Sequence, residues 1–141
     1  MSAISEFKTQ TNFKTSLSDG GYSGITARVE VNANSFGKFA VMYMTANGYE
    51  LANAANDTKT PARVMALEAG TGSEISVLKA GFIKNSAWSF TKGAAIYLGT
   101  TDGTITQTKP SSSNNAVQYI GDAYDATTLD FRPDATIVTI A

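Results

Sequence analysis

Phe39-Ala40-Val41-Met42-Tyr43-Met44 runs into Thr45-Ala46-Asn47-Gly48 and then Tyr49-Glu50-Leu51. The first six residues are apolar at odd and even positions alike. An extended segment of that kind has no face suited to water, so it belongs in the middle of a sheet, covered on both sides. Asn47-Gly48 is a strong hairpin signal, because the tight turns that join twisted strands need positive φ at their central residues. Tyr49–Leu51 is then the return strand. Upstream, Ile25, Ala27, Val29 and Val31 alternate with Thr26, Arg28, Glu30 and Asn32. This period of two predicts a strand with one buried and one wet face. Asn34-Ser35-Phe36-Gly37 ends it.

Downstream the same reading repeats. A polar loop covers Asn53 to Pro61. Val64 to Glu68 is a short strand closed by Gly70-Thr71-Gly72, and Glu74 to Leu78 alternates again, with Ala80 to Ile83 continuing past a kink. Ala95 to Leu98 and Thr104 to Thr108 flank an Asp102-Gly103 turn. Pro110 and the Ser111–Asn115 loop tip precede a strand from Val117 to Ala123, with Gly121 at a bulge. Thr127 to Phe131 follows, and Thr136 to Ile140 is expected to close the sheet. Only Met65–Ala69 has helix-favouring residues, and it is short and bounded by glycine. The pattern predicts an all-β fold, a sandwich or partly open barrel of about ten short antiparallel strands. Residues 24–141 form the single β domain. Residues 1–23 read as an extended N-terminal arm, because Phe7, Phe13 and Leu17 are spaced at neither period and Ser18-Asp19-Gly20-Gly21 is a turn. A frayed terminus is the plainer alternative.

Composition narrows the chemistry. Of 141 residues, 16% are charged, and 18 Thr, 13 Ser and 9 Asn supply neutral polar faces instead. There is no His and no Cys. Disulfides, thiolate or imidazole metal sites, and nucleophilic catalysis by Ser-His-Asp or Cys-His are therefore excluded. A formal net charge of −1 lacks the basic excess of a nucleic-acid binder. No apolar run approaches the ~20 residues of a membrane-spanning helix, so no membrane partner is expected.

The remaining candidates are few. Asp122, Asp125, Asp130 and Asp134 crowd the C-terminal quarter. Their spacing matches no calcium loop, so turn and wet-strand aspartates are the better reading, and neither metal nor cofactor is expected. A carboxylate pair such as Asp122 and Asp125 could serve a small hydrolase, but no aromatic cleft is evident and no enzyme is expected. Gly70-Thr71-Gly72 is a turn, not a phosphate cradle. Lys79, Lys84 and Lys92 could meet Asp122 and Asp125 of a neighbouring copy, or simply form a solvated face. Phe7, Phe13 and Leu17 of the arm, and Phe82, Trp88 and Phe90, are the candidate contact residues, although Trp88 could equally be core.

Four blocks carry a resemblance: Tyr43 to Ala52; Val64 to Ala69 with Val77 to Ile83; Gly93 to Thr108; and Val117 to Tyr124 with Thr128 to Asp134. From about Gly37 onward the chain resembles small bacteriophage virion proteins of the head-decoration (cement) and head-fibre type. The resemblance implies a β-rich structural protein on the outer surface of a phage head, assembled in the host cytoplasm. It also implies contact with the major capsid protein and a homotrimer at capsid three-fold axes. The alternative it leaves open is a head- or tail-fibre module that binds a host-surface receptor or glycan.

Overall fold

The computed structural model describes residues 12–33, 35–70 and 74–141. Eleven strands follow in order: β1 Tyr22–Glu30, β2 Val41–Thr45, β3 Gly48–Leu51, β4 Val64–Ala66, β5 Glu74–Lys84, β6 Ala95–Leu98, β7 Ile105–Thr106, β8 Ala116–Val117, β9 Tyr119–Ala123, β10 Thr128–Phe131 and β11 Val138–Thr139. A single 3₁₀ turn at Asp57–Lys59, capped by Asn56, interrupts the loop after β3. The fold is all-β. One antiparallel sheet runs β3-β2-β4-β5-β10-β9-β6-β7, with β1 on the other edge of β5.

Strand β5 organises the sheet. Nine of its eleven residues pair with β1 along one edge, while the other edge takes β4 at Val77 and Leu78 and β10 from Gly81 to Lys84. The sheet curls around it. On one side the end of β1 returns to β3, where Val31 bridges Tyr49 and the Asn32 N–H donates to Tyr49 O at 2.8 Å. Strands β1, β5, β4, β2 and β3 thus form a small ring. Val31, Met42, Val64, Ala66, Ile75 and Val77 fill it. On the other side β10, β9, β6 and β7 fold across the outer face of the same wall. Val41, Met65 and Leu78 meet Ile83, Ile96, Leu98, Ile120, Leu129 and Phe131 there in a second, larger core.

The wall β2–β4–β5 is therefore covered on both faces, as the unbroken apolar run predicted for β2. Met42 and Met65 are both fully buried but point into different cores. Each such side chain contributes on the order of 2 kcal/mol by leaving water. Backbone bonds close the seam between the two halves. Gly103 N–H donates to Ala52 O at 2.7 Å, and Ala54 N–H to Gly99 O at 2.8 Å. The result is a partly open barrel with two cores.

Local differences from the expected strands have local causes. Phe39 is not in β2, because its φ is +78 and it sits in the turn before the strand. The expected kink in β5 does not end the strand. Between Ile25 and Thr26 the pairing moves from Ala80 to Leu78, which leaves Lys79 as the extra residue of a bulge. A second register shift lies beside Gly121, where Ile96 pairs with Gly121 and Tyr97 with Tyr119. The last strand does not close the main sheet. β11 pairs with β8 in a separate two-stranded sheet. The expected strand from Val117 to Ala123 is divided at Gln118.

Gln118 explains that division. Its side chain is fully buried. Its Oε1 accepts from Ala62 N–H at 2.7 Å, and its Nε2 donates to Ala62 O at 2.7 Å and to Asp134 O at 2.8 Å. One amide thus supplies backbone partners to two segments that lack a strand neighbour, as buried peptide groups require. Gln118→Leu keeps the volume and removes all three bonds. We expect it to cost about 3 kcal/mol, measured as a lower urea midpoint; an unchanged midpoint would contradict this account. Where β1 crosses β5, Gly81 has φ +139, and a Cβ there would lie 2.3 Å from Ser23 O. Gly81→Ala is expected to cost about 2 kcal/mol, and near-native denaturation would show that the crossing is looser than described.

Candidate interaction surface

The aromatic residues singled out in the sequence fall into two settings. Trp88 and Phe90 lie in the loop between β5 and β6, with ring centroids 5.1 Å apart. Phe39 meets Trp88 edge-on at 5.3 Å. All three pack against the larger core, so this trio mainly seals the domain. Phe39 holds its positive φ, a strained conformation for a residue with a side chain. Its N–H donates to Ala66 O at 2.8 Å, which fixes it there. Sequence reasoning found Trp88 and Phe90 but not Phe39, whose packing role depends on that unusual backbone angle.

Phe82 has a different setting. It pairs with Ser23 across β1 and with Asp130 across β10, which places it on the outer face of the sheet. Tyr124 stacks edge-on against it at 5.5 Å. Ile25, opposite Ala80, shares this face. Ile25 is 54% exposed and Tyr124 44%. Lone exposed apolar residues are ordinary, but a group of them on one sheet face marks a contact surface. The segment before β1 comes to the same face, because Lys14 N–H donates to Ser23 Oγ at 2.8 Å. Phe13, next to that contact, is exposed, and Leu17 is half-buried. The turn after them is fastened to β5, with Gly20 N–H on Lys84 O and Lys84 N–H on Gly21 O, both at 2.9 Å. Phe7, with the rest of residues 1–11 of the expected arm, lies outside the described residues.

The charged candidates are largely engaged within the chain. Asp125 accepts from the N–H groups of Thr127 and Thr128 at 3.0 and 2.8 Å and shapes its own loop. Those N–H donors, with Lys84 nearby, hold its carboxyl below the usual range. Asp19 is lowered in the same way, chiefly by the Ser86 N–H, again with help from Lys84. Lys84 thus lies close enough to favour both carboxylates, but it forms no ion pair with either. Lys92 stands exposed in the turn before β6, and the bulge turns Lys79 outward to a separate trough.

Asp122 and Asp130 face each other across β9 and β10. Arg132 joins them, Nε to Asp130 at 3.1 Å and Nη2 to Asp122 at 3.2 Å, with Tyr119 Oη at 3.5 Å. The guanidinium bridges the pair at the surface and offsets one of its two charges, and such exposed bridges contribute little to stability. Residue spacing alone does not reveal the role of Arg132, because its partners come together through strand pairing. Among the described residues, no three acidic side chains converge as metal ligands. No protein-family model matches the chain, and no curated protein matches it in sequence.

Tyr119 reports on this cluster. Burial, then its hydrogen bond to Asp122 and that residue's charge, push the phenol up to about 12. A raised phenol disfavours the phenolate in the folded state, so this contribution to stability is complete below pH ~10 and lost as pH rises toward 12. Phenolate absorbance should show one tyrosine titrating late. Asp122→Asn should bring it back toward the ordinary range, whereas an unchanged titration would mean that burial alone sets it.

Proposed function

We propose that the chain is a bacteriophage head-decoration protein. It binds the outer surface of the assembled shell, through the major capsid protein, and stabilises it. The observation that supports this reading most is the apolar face where exposed Ile25 and Tyr124 flank half-buried Phe82, with the segment before β1 reaching it at Ser23. The two cores stabilise the domain without that face, which leaves it available for contact. The four resembling sequence blocks point the same way.

The mechanism is physical rather than chemical. A protein that binds the shell but not its loose subunits shifts the balance toward the shell by mass action. Many copies, assembled as trimers at three-fold positions, add avidity. Phe7, Phe13 and Leu17 of the expected arm extend the contact beyond the sheet face. The protein then resides on the outside of the head.

Purified protein mixed with heads assembled without it should bind to a fixed occupancy and raise the temperature at which they open. Phe82→Ser and removal of residues 1–17 should each weaken binding about tenfold. Protein that stays free in the presence of such heads would sink the proposal. A second reading, receptor or glycan binding by a fibre module, is favoured by Asp130 lying beside Phe82 and Tyr124, since an aromatic next to a carboxylate suits a sugar ring. Binding to host cells but not to heads would select it.

A further inference from the structure

A trough of about 500 Å³ opens on a part of the surface that shares no residue with the Ile25–Phe82–Tyr124 face. Met44 and Tyr49 supply its apolar surface, and Met44 is 62% exposed, while Val64 also lines it but keeps its side chain in the ring. Two prolines, Pro61 and Pro133, stand on facing walls. Those walls are tied together from beneath. Gln118, fully buried, bonds Ala62 on one wall and the Asp134 carbonyl on the other. The trough is therefore held in shape by a satisfied buried amide, which lowers the ordering cost of binding.

Its charge is one-sided. Arg63 and Lys79 line it, and no carboxylate does. Arg63 is set in place by its own N–H, which donates to Met42 O at 2.8 Å. Lys79 is there because of the β5 bulge. Ile75 and Val77 point into the ring, and without the extra residue Lys79 would follow them inward. Bulges re-aim side chains in this way. Arg28, Lys59 and Arg132 each reach a carboxylate within 4 Å, but Arg63 and Lys79 reach none among the described residues. Of the acidic residues adjacent in sequence to its lining, Asp134 accepts from the Thr136 N–H at 2.9 Å and Glu50 from Asn32 Nδ2 at 3.0 Å. Two unneutralised cations thus flank an exposed apolar floor in a chain whose net charge is −1.

We propose that this trough docks an extended acidic peptide segment of a partner protein, with an apolar side chain on Met44 and Tyr49 and flanking carboxylates on Arg63 and Lys79. The apolar contact supplies affinity, and the cations select the sign of the partner and its orientation. This inference does not depend on the shell reading.

The test uses the full chain and three fluorescein-labelled synthetic peptides in an anisotropy titration. One is acidic with a central Leu-Phe pair, one is acidic with Ser-Ser in its place, and one is basic with Leu-Phe. The first should bind, more weakly at ~0.3 M NaCl than at low salt. The other two should bind at least about tenfold more weakly. Reversing both cations, Arg63→Glu with Lys79→Glu, should weaken the first peptide about tenfold or more, and Met44→Ser should do so separately. Both variants alter exposed side chains, and an unchanged thermal midpoint shows that they fold. Failure of the first peptide to bind overturns the proposal. So does binding that survives the charge reversal, or equal binding of the Ser-Ser peptide. Tighter binding to vesicles rich in anionic lipid than to any peptide would assign the cations to a membrane surface and overturn it as well.

Discussion

Strands β2, β4 and β5 carry apolar side chains on both faces, and the rest of the fold follows from covering them twice. A half-buried sheet can leave one face to water, but a wall with Met42, Val64 and Val77 on one side and Val41, Met65 and Leu78 on the other cannot. Two covers are needed, and a short chain must build both from the same sheet. Strand β5 makes this possible by being long enough to serve β4 with one half and β10 with the other. The bend between the halves requires a close crossing with β1, where Gly24 and Gly81 face each other and side chains would collide with backbone oxygen.

Much of this was legible locally, and what was not depends on contacts distant in sequence. Period two at Ala27, Val29 and Val31 correctly marks an inward face. Ile25 belongs to the same pattern in sequence yet is exposed, because the β5 bulge lies between it and Ala27. No pattern in β1 could reveal a bulge in its partner. The change of phase at Lys79 was visible and suggested a kink; pairing with β1 on both sides of it keeps the strand whole. Gln118 looks like one polar residue in an apolar strand. Its meaning comes from Ala62, 56 residues away. The final strand was recognisable as a strand, but not its pairing with β8, since local alternation carries no information about partners.

The candidate surfaces follow the same division. Phe82 could be singled out from sequence as a large apolar residue in an alternating strand, but its exposure depends on which face β10 leaves open. Trp88 and Phe90 looked equally suited to contact, and Phe39 draws them toward the core instead. Of the lysines and aspartates singled out for a neighbouring copy, Asp122 and Asp125 have partners within the chain, Asp122 in Arg132 and Asp125 in its own loop, whereas Lys79, Lys84 and Lys92 form no ion pair among the described residues. Opposite charges distant in sequence cannot be matched by counting net charge over segments.

This matching also bears on how such a domain can act. Its folded state depends on burial and backbone pairing rather than on surface ion pairs, which are weak individually. Groups that remain on the outside without internal partners are therefore those whose interactions can be given to another molecule at little cost to the fold. Two sets meet that description, the apolar face around Phe82 and the trough between Arg63 and Lys79. The first is fixed to β5 and β10, the second to segments that Gln118 holds together. Such placement matters because a contact surface that must first be ordered gives up part of its binding energy to do so. A small domain with little charge and two cores can thus present preformed contacts.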